Sequence, residues 1–290
     1  MDVRNFITAA ALAVGLVGAS AAVGAAETLD ELLQRTHVHG LAVDRGDPER
    51  LLVATHHGLY AAGPDGRVEQ VSAREDDLMG FSAHPTEPDI LYASGHPPEG
   101  GNLGVIGSDD GGATWQQLSG GANGPVDFHQ MTVSAADPSV MYGIYGDLQR
   151  STDGGESWDV VGPAPDGTIA LAASSLDSDV IYAGTERGIV VSRDGGRDWE
   201  PGHLIAAPTT ALMVTANGSI YAYMVGQGLL RVDEGDFPRW SRIAEEVAEE
   251  PVLHLAADPS DVSNLFAAAI DGSILKSEDG GESWTTKAGR

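Results

Sequence analysis

Short apolar segments alternate with polar turns at regular intervals along most of the chain. In one clear example, the segment at residues 130–133 is followed by the turn Asp137-Pro138 and a second apolar segment at residues 140–143. The same order begins at residue 40, with the turn Asp47-Pro48 between its two segments. Brief apolar segments bounded by Gly, Pro and Asp are typical of β-strands, so this pattern predicts a protein made of many short strands.

A second pattern, Ser-x-Asp-Gly-Gly-x-x-Trp, follows the apolar segments in four places. Its copies lie at residues 108–115, 151–158, 192–199 and 277–284. Successive copies start 43, 41 and 85 residues apart, and the last gap spans two periods. A degenerate copy at residues 231–240 occupies the middle of that gap, and a weaker one lies at residues 60–71. The chain therefore contains a repeat of slightly more than forty residues.

Each repeat unit has room for four short strands, and six units cover residues 37–290. Four strands in a repeat of this length are the signature of propeller blades. We therefore predict an all-β fold, a six-bladed β-propeller with four-stranded antiparallel blades. In the motif, the Asp side chain can accept hydrogen bonds from the backbone after it, and the glycines supply positive φ angles. The Trp then begins the last strand of the blade and packs between neighbouring elements.

The motif resembles the Asp-box, or BNR repeat, of sialidases, sortilin-type receptors and photosystem II assembly-factor propellers. The resemblance implies that the motif is structural and lies on the turn between the third and fourth strands, away from the ligand face. It therefore implies no catalytic role for the motif aspartates, which are Asp110, Asp153, Asp194 and Asp279.

The first 36 residues do not share the repeat. Residues 6–26 carry no charge and end in small residues, which predicts a cleaved signal peptide over residues 1–26 and export to the periplasm or the medium. The alternative is an uncleaved anchor helix, because 21 residues are enough to span a bilayer. Residues 27–36 form a lead segment in which Thr28 and Glu31 are placed to cap a short helix.

The composition narrows the choice of partners. The chain has 43 acidic and 16 basic residues, a formal charge of −27, which disfavours nucleic acid and membrane surfaces as partners. With 42% apolar residues it can still bury a core, and we expect a monomer. The absence of cysteine excludes disulfides, thiol nucleophiles and Cys-zinc sites.

Histidines are concentrated in the first three units, on the face opposite the Asp-Gly turns. Alignment of the units places three pairs at the start of the innermost strands: His37 with His39, Asp77 with Met79, and Asp127 with His129. Residues at i and i+2 of a strand share a side, so these pairs are expected to meet at the channel mouth. The loops between the second and third strands of units 1 and 2 add His56, His57 and His96.

These side chains suit a transition-metal ion. Neutral imidazoles are ligands for Zn²⁺ and Cu²⁺, and a Met sulfur favours copper. The predicted copper or zinc ligands are His37, His39, His57, His96, His129 and Met79, with Asp77 and Asp127 as acidic partners. The alternative is that the histidines only bind water and backbone groups and that Met79 only packs.

Two other functions stay open. The His-containing segments resemble secreted bacterial BNR-repeat proteins of a glycosylhydrolase or sialidase-like group, which implies a glycan ligand. A sialidase needs three arginines around a carboxylate, and here only Arg35, Arg74 and Arg187 are candidates; the early Arg-Ile-Pro motif is missing. Another glycosidase could use Asp77 and Asp127 as its catalytic carboxylates. The third possibility is a non-catalytic scaffold with a protein ligand.

Overall fold

Six four-stranded antiparallel sheets make up the described part of the chain. The computed structural model describes residues 27–289, so the signal peptide predicted over residues 1–26 lies outside the described residues. In every sheet the four strands are hydrogen-bonded in sequence order. The prediction of a six-bladed β-propeller with four-stranded blades is confirmed.

The first three blades contain strands β1–β12. Blade 1 consists of β1 (Val38–Val43), β2 (Leu51–Thr55), β3 (Gly58–Ala62) and β4 (Val68–Gln70). Blade 2 consists of β5 (Asp77–Ala83), β6 (Leu91–His96), β7 (Val105–Ser108) and β8 (Gln116–Ser119). Blade 3 consists of β9 (Gln130–Val133), β10 (Met141–Tyr145), β11 (Asp147–Ser151) and β12 (Asp159–Pro163).

The last three blades contain strands β13–β24. Blade 4 consists of β13 (Thr168–Ala173), β14 (Ile181–Thr185), β15 (Gly188–Ser192) and β16 (Glu200–Pro201). Blade 5 consists of β17 (Thr209–Val214), β18 (Ser219–Met224), β19 (Gly228–Asp233) and β20 (Ser241–Ala244), with a 3-10 turn at Glu234–Asp236. Blade 6 consists of β21 (Val252–Ala257), β22 (Leu265–Ala269), β23 (Ile274–Ser277) and β24 (Thr285–Ala288).

The second strands of blades 1, 4 and 6 are fully buried, because neighbouring blades pack on both of their faces. All five residues of β2, β14 and β22 are buried, and these strands read as continuous apolar runs. The apolar clusters lie between blades: Leu59 of blade 1, for example, packs with Leu91 and Ile106 of blade 2. The core is therefore a ring of interfaces between blades, and the stability of each blade depends on its neighbours.

The six innermost strands surround a central channel and contact one another in a closed circle. Each leaves one edge without a strand partner, so side chains link the free backbone groups of adjacent blades. Ser82 Oγ donates to Met131 O at 3.0 Å, joining blades 2 and 3. His254 Nε2 lies 3.2 Å from Val38 O, joining blade 6 to blade 1 where the ring closes.

A short helix, α1 (Leu29–Arg35), reinforces the closure of the ring. Thr28 and Glu31 form a capping box at its start, as the sequence indicated. Leu32 and Leu33 are fully buried in a cluster that includes Tyr60 of blade 1 and Phe266 of blade 6. The lead segment therefore does not plug the channel: it fills the interface between the first and last blades.

The four motif turns share one hydrogen-bond pattern. In each, the Ser Oγ donates to the Asp Oδ1 at 2.8 Å and accepts from a Gly N–H four residues on. These bonds stabilise the ionised carboxylate; for Asp279, hydrogen bonds from Ser283 and Ser277 lower the pKa to about 2. In the degenerate copy Arg231 replaces the Ser, and Ser219 on the adjacent strand donates to Asp233 at 2.9 Å instead.

Among residues 27–289, no helix is long and apolar enough to cross a membrane.

Candidate metal centre

Strand ends from blades 1, 2 and 3 meet at one mouth of the channel. His39 lies in β1, Asp77 begins β5 and His96 ends β6. Asp127 and His129 lie just before β9. These residues occupy the face opposite the motif turns, so the structure brings together side chains that are separated by up to ninety positions in sequence.

The first trio consists of His39, His56 and Asp77, and it joins blade 1 to blade 2. His56 Nδ1 lies 2.9 Å from Asp77 Oδ2, and His39 Nδ1 lies 2.9 Å from Asp77 Oδ1. The second pair of atoms is too poorly aligned for a hydrogen bond, so both atoms are buried without a hydrogen-bond partner. The ring centroids of His39 and His56 are 4.1 Å apart. Three ligand atoms therefore converge within 4.8 Å of one another.

The second trio consists of His96, Asp127 and His129, and it joins blade 2 to the start of blade 3. Asp127 Oδ2 lies 2.9 Å from both His96 Nε2 and His129 Nε2. The Asp127 side chain is only 8% exposed, and its other oxygen, Oδ1, has no hydrogen-bond partner. A buried carboxylate oxygen without a partner is costly in a folded protein.

Each trio has a histidine whose orientation is set by a further contact. His96 Nδ1 lies 2.8 Å from Gly101 O, and His56 Nε2 lies 3.3 Å from His37 Nδ1. A carbonyl oxygen can only accept, so His96 must carry its proton on Nδ1 when it is neutral. Its Nε2 lone pair then points at Asp127 Oδ2, and two acceptor atoms face each other at 2.9 Å. A proton or a cation between them removes that repulsion.

The contacts at the mouth shift the pKa values of its carboxylates and imidazoles. Partial burial raises the pKa of Asp77, but the contacts with His39 and His56 outweigh it and hold the pKa below its usual value. The carbonyl of Gly101, with the nearby charges of Asp127 and Asp77, raises the pKa of His96. Deeper in the channel, burial lowers the pKa of His254 to about 4. The mouth therefore favours positive charge next to its carboxylates, while the channel wall behind it favours neutral groups.

A close backbone approach and a buried serine hydroxyl hold both trios in place. Gly95 has φ +120°, and a Cβ at this position would lie 1.9 Å from the carbonyl oxygen of Asp77. Ser94 Oγ is buried; it donates to Gly104 O at 2.7 Å and accepts from Phe128 N at 3.0 Å. The strand end that carries His96 is therefore tied directly to the segment that carries Asp127 and His129.

The predicted ligands divide into two sets. His39, His96, His129, Asp77 and Asp127 belong to the trios, and His37 contacts the first trio through His56. His57 and Met79 belong to neither trio in the described part of the chain. The two-residue turn between β2 and β3 directs His56 toward Asp77, whereas the backbone N–H of His57 bonds Thr55 Oγ1. The sequence contained both histidines, but nothing in it showed which one faces the next blade.

The central cavity has a volume of about 260 Å³ and is lined by the innermost strands of all six blades. His39, His129 and His254 contribute to its wall, so the trios border its opening. Two of the three arginines considered for a sialidase form ion pairs: Arg35 with Glu27 beside α1, and Arg74 with Asp76. These two guanidinium groups are therefore already paired with carboxylates.

Comparison with known proteins finds a curated protein that is similar in sequence and solved structures that are similar in fold. The Photosystem II assembly lipoprotein Ycf48 of Synechococcus sp. (strain CC9902) is 25% identical over 185 residues, which is 62% of this chain and 54% of that protein. The GH74 xyloglucanase of Xanthomonas campestris superposes on 87% of this chain and 45% of its own, with a TM-score of 0.59 and 19% identity. The GH74 enzyme of Niastella koreensis covers the same shares, with a TM-score of 0.62 and 18% identity.

These comparisons support the fold more than the function. The chain spans about half the length of the curated relative it matches and less than half of the two GH74 proteins. No protein-family model matches the chain. The likeness to the GH74 structures therefore shows a shared fold alone, and the likeness to the assembly lipoprotein is one of sequence.

Proposed function

We propose that this protein is an exported β-propeller that binds transition-metal ions, Zn²⁺ or Cu²⁺, at the mouth formed by blades 1 to 3. The observation that carries the proposal is the second trio, in which two imidazole nitrogens lie 2.9 Å from one buried carboxylate oxygen. A cation at the centre of the trio would be coordinated by all three acceptor atoms, and their mutual repulsion would be relieved.

The donor set supports a borderline metal. Two imidazoles and one carboxylate suit Zn²⁺ and Cu²⁺ better than Ca²⁺ or Mg²⁺, which prefer oxygen ligands. Because Met79 belongs to neither trio, copper loses the preference that a sulfur ligand would give it. Three protein ligands leave at least one position for water or a further ligand.

The surroundings also match a metal site. Metal-bound histidines usually donate their second ring nitrogen to a carbonyl, a carboxylate or water, which fixes the ring. The contact of His96 Nδ1 with Gly101 O has this form. The formal charge of −27 would raise the concentration of cations near the surface. The predicted signal peptide would place the protein where free metal ions are available.

The test is metal titration of the metal-free protein by calorimetry, with Zn²⁺ and with Cu²⁺. We expect His56→Gln and His129→Gln each to weaken binding by at least about tenfold, the size of loss seen when a metal site is disturbed. His57→Gln is the matched control, because His57 lies beside His56 but outside the trios. No binding by the wild-type protein, or equal losses in His56→Gln and His57→Gln, would overturn the proposal.

Glycoside hydrolysis is the second candidate. It is supported by two carboxylates in one mouth, Asp77 and Asp127, and by the unpartnered Oδ1 of Asp127. Xyloglucan and a panel of aryl glycosides are suitable substrates for a test. Turnover by the metal-free protein that Asp127→Asn abolishes would favour this function over metal binding.

We also propose that the four Ser-x-Asp-Gly-Gly-x-x-Trp turns are Asp-boxes with a structural role. Their shared hydrogen bonds and their position between the third and fourth strands support this assignment. A scaffold function, in which the propeller binds a protein, is supported by the 25% identity to an assembly lipoprotein. Asp→Asn variants of the motif that are less stable than the wild-type protein but keep full metal binding while folded would agree with a structural role.

A further inference from the structure

We infer that the two trios form a single dinuclear centre, in which two metal ions lie side by side and together bind a small oxyanion such as phosphate. The inference rests on the proposed function, because it requires that each trio binds an ion. It adds the stoichiometry of the site and the chemical class of its ligand.

The register of blade 2 places the trios next to each other. Asp77 of β5 and His96 of β6 are direct partners in the antiparallel pair. Paired residues project on the same side of a sheet, with Cβ atoms about 5 Å apart. Asp77 belongs to the first trio and His96 to the second, so the two sites share this strand pair as a common wall.

The segments on either side strengthen this link. Gly95 passes so close to the carbonyl oxygen of Asp77 that no side chain fits between the strands. Ser94 Oγ fixes Phe128 N, which lies between Asp127 and His129 of the second trio. The spacing of the strand ends that carry the trios is therefore fixed by a close backbone contact and by a buried serine hydroxyl.

Both trios are open on the side away from the channel wall. His56, His96 and His129 are 40%, 41% and 63% exposed, whereas His39 is only 12% exposed. Each ion would thus keep an open position that faces solvent. Two ions with adjacent open positions are a common arrangement for binding phosphate oxygens.

The protein itself carries a large negative charge, so affinity for an anion would have to come from the bound metal ions. Arg74, close to Asp77 in sequence, is paired with Asp76 at 2.9 Å, so its charge is already balanced by a carboxylate. Metal-free protein, with its formal charge of −27, is expected to repel phosphate. Phosphate binding is therefore expected only when both trios are occupied.

The experiment has three parts, made on the wild-type protein, Asp127→Asn and His57→Gln. The first is the number of Cu²⁺ or Zn²⁺ ions bound, by calorimetry and elemental analysis. The second is the electron paramagnetic resonance spectrum of the copper-loaded protein, which shows dipolar coupling when two Cu²⁺ ions are close. The third is titration of the loaded protein with inorganic phosphate.

We expect two ions, dipolar coupling and saturable phosphate binding for the wild-type protein and for His57→Gln. For Asp127→Asn we expect one ion, no coupling and at least about a tenfold loss in phosphate affinity. One ion in the wild-type protein, two uncoupled ions, or phosphate binding that Asp127→Asn leaves unchanged would each overturn the inference while leaving metal binding intact. No bound ion at all would overturn the proposed function as well.

Discussion

At the scale of single residues, the candidate site depends on a backbone position that only glycine can occupy. Gly95 is the clearest case, because its φ of +120° and its approach to Asp77 both exclude a Cβ. The sequence marks Gly95 only as a glycine near the end of a strand. The structure gives the reason for the glycine, because the carbonyl oxygen of Asp77 on the paired strand occupies the space of a Cβ.

Replacing Gly95 with Ala is expected to destabilise the protein by at least about 1–3 kcal/mol, the range for a strained backbone position. The clash with Asp77 would also displace the first trio and weaken metal binding. Urea unfolding and metal titration measure the two effects. Gly100→Ala is the control, since Gly100 also has a positive φ but has no atom within 4 Å of the added Cβ. Equal losses in both variants would show that the contact with Asp77 does not matter.

At the scale of elements, α1 is the feature whose role the sequence left open. The capping box could be identified from Thr28 and Glu31, because it depends on residues three apart in one helix. The packing position of α1 depends on Phe266 and other residues more than two hundred positions away. No local pattern contains that information.

Leu32→Ala is expected to lower the free energy of unfolding by about 2–5 kcal/mol, the range for a buried leucine. The loss arises because Leu32 is fully buried between blades 1 and 6, where the ring closes. Chemical denaturation measures it. Leu176→Ala is the control, since Leu176 is 69% exposed. A change of less than about 1 kcal/mol in Leu32→Ala would mean that α1 does not contribute to the closure.

The motif turns predict how the protein responds to acid. The pKa of Asp279 is about 2 in the folded protein, against an ordinary value of 3.8. The stabilisation from this lowered pKa is therefore complete above about pH 4 and is lost as the pH falls toward 2. We expect the melting temperature to fall less between pH 5 and pH 2.5 in Asp279→Asn than in the wild-type protein.

Asp109→Asn is the control for this prediction. Asp109 is an exposed neighbour of a motif aspartate, and its carboxylate accepts no hydrogen bond from the described residues. The melting temperature of Asp109→Asn should depend on pH in the same way as that of the wild-type protein. Identical pH profiles for Asp279→Asn and the wild-type protein would show that the turns do not govern acid stability.

At the scale of the whole molecule, the dominant property is charge. A formal charge of −27 on a protein of this size creates repulsion that salt screens, because the screening length falls from about 30 Å at 0.01 M to about 3 Å at 1 M. We expect the melting temperature at pH 7 to rise by several degrees when NaCl is raised over this range. KCl at equal ionic strength should have the same effect. A flat or falling melting temperature would contradict the prediction.

The fold of this protein was determined largely by local pattern. The turn motif has four full copies, at Asp110, Asp153, Asp194 and Asp279, and two degenerate ones. Together with the strand-length apolar segments they mark six units, so the blade count follows from the chain alone. The residues of the candidate site were also visible as a concentration of histidines in three units. These features could be inferred because each depends on neighbours within about forty residues.

The tertiary structure decided which of those residues meet. The register of β5 against β6 places Asp77 opposite His96, and the turn after β2 selects His56 over His57. The contact of His254 with Val38 joins the two ends of the ring. Each of these outcomes depends on strand register or on packing between distant segments, and a shift of one residue would reverse the side that a residue faces. For that physical reason, the grouping into two trios could be found only in three dimensions.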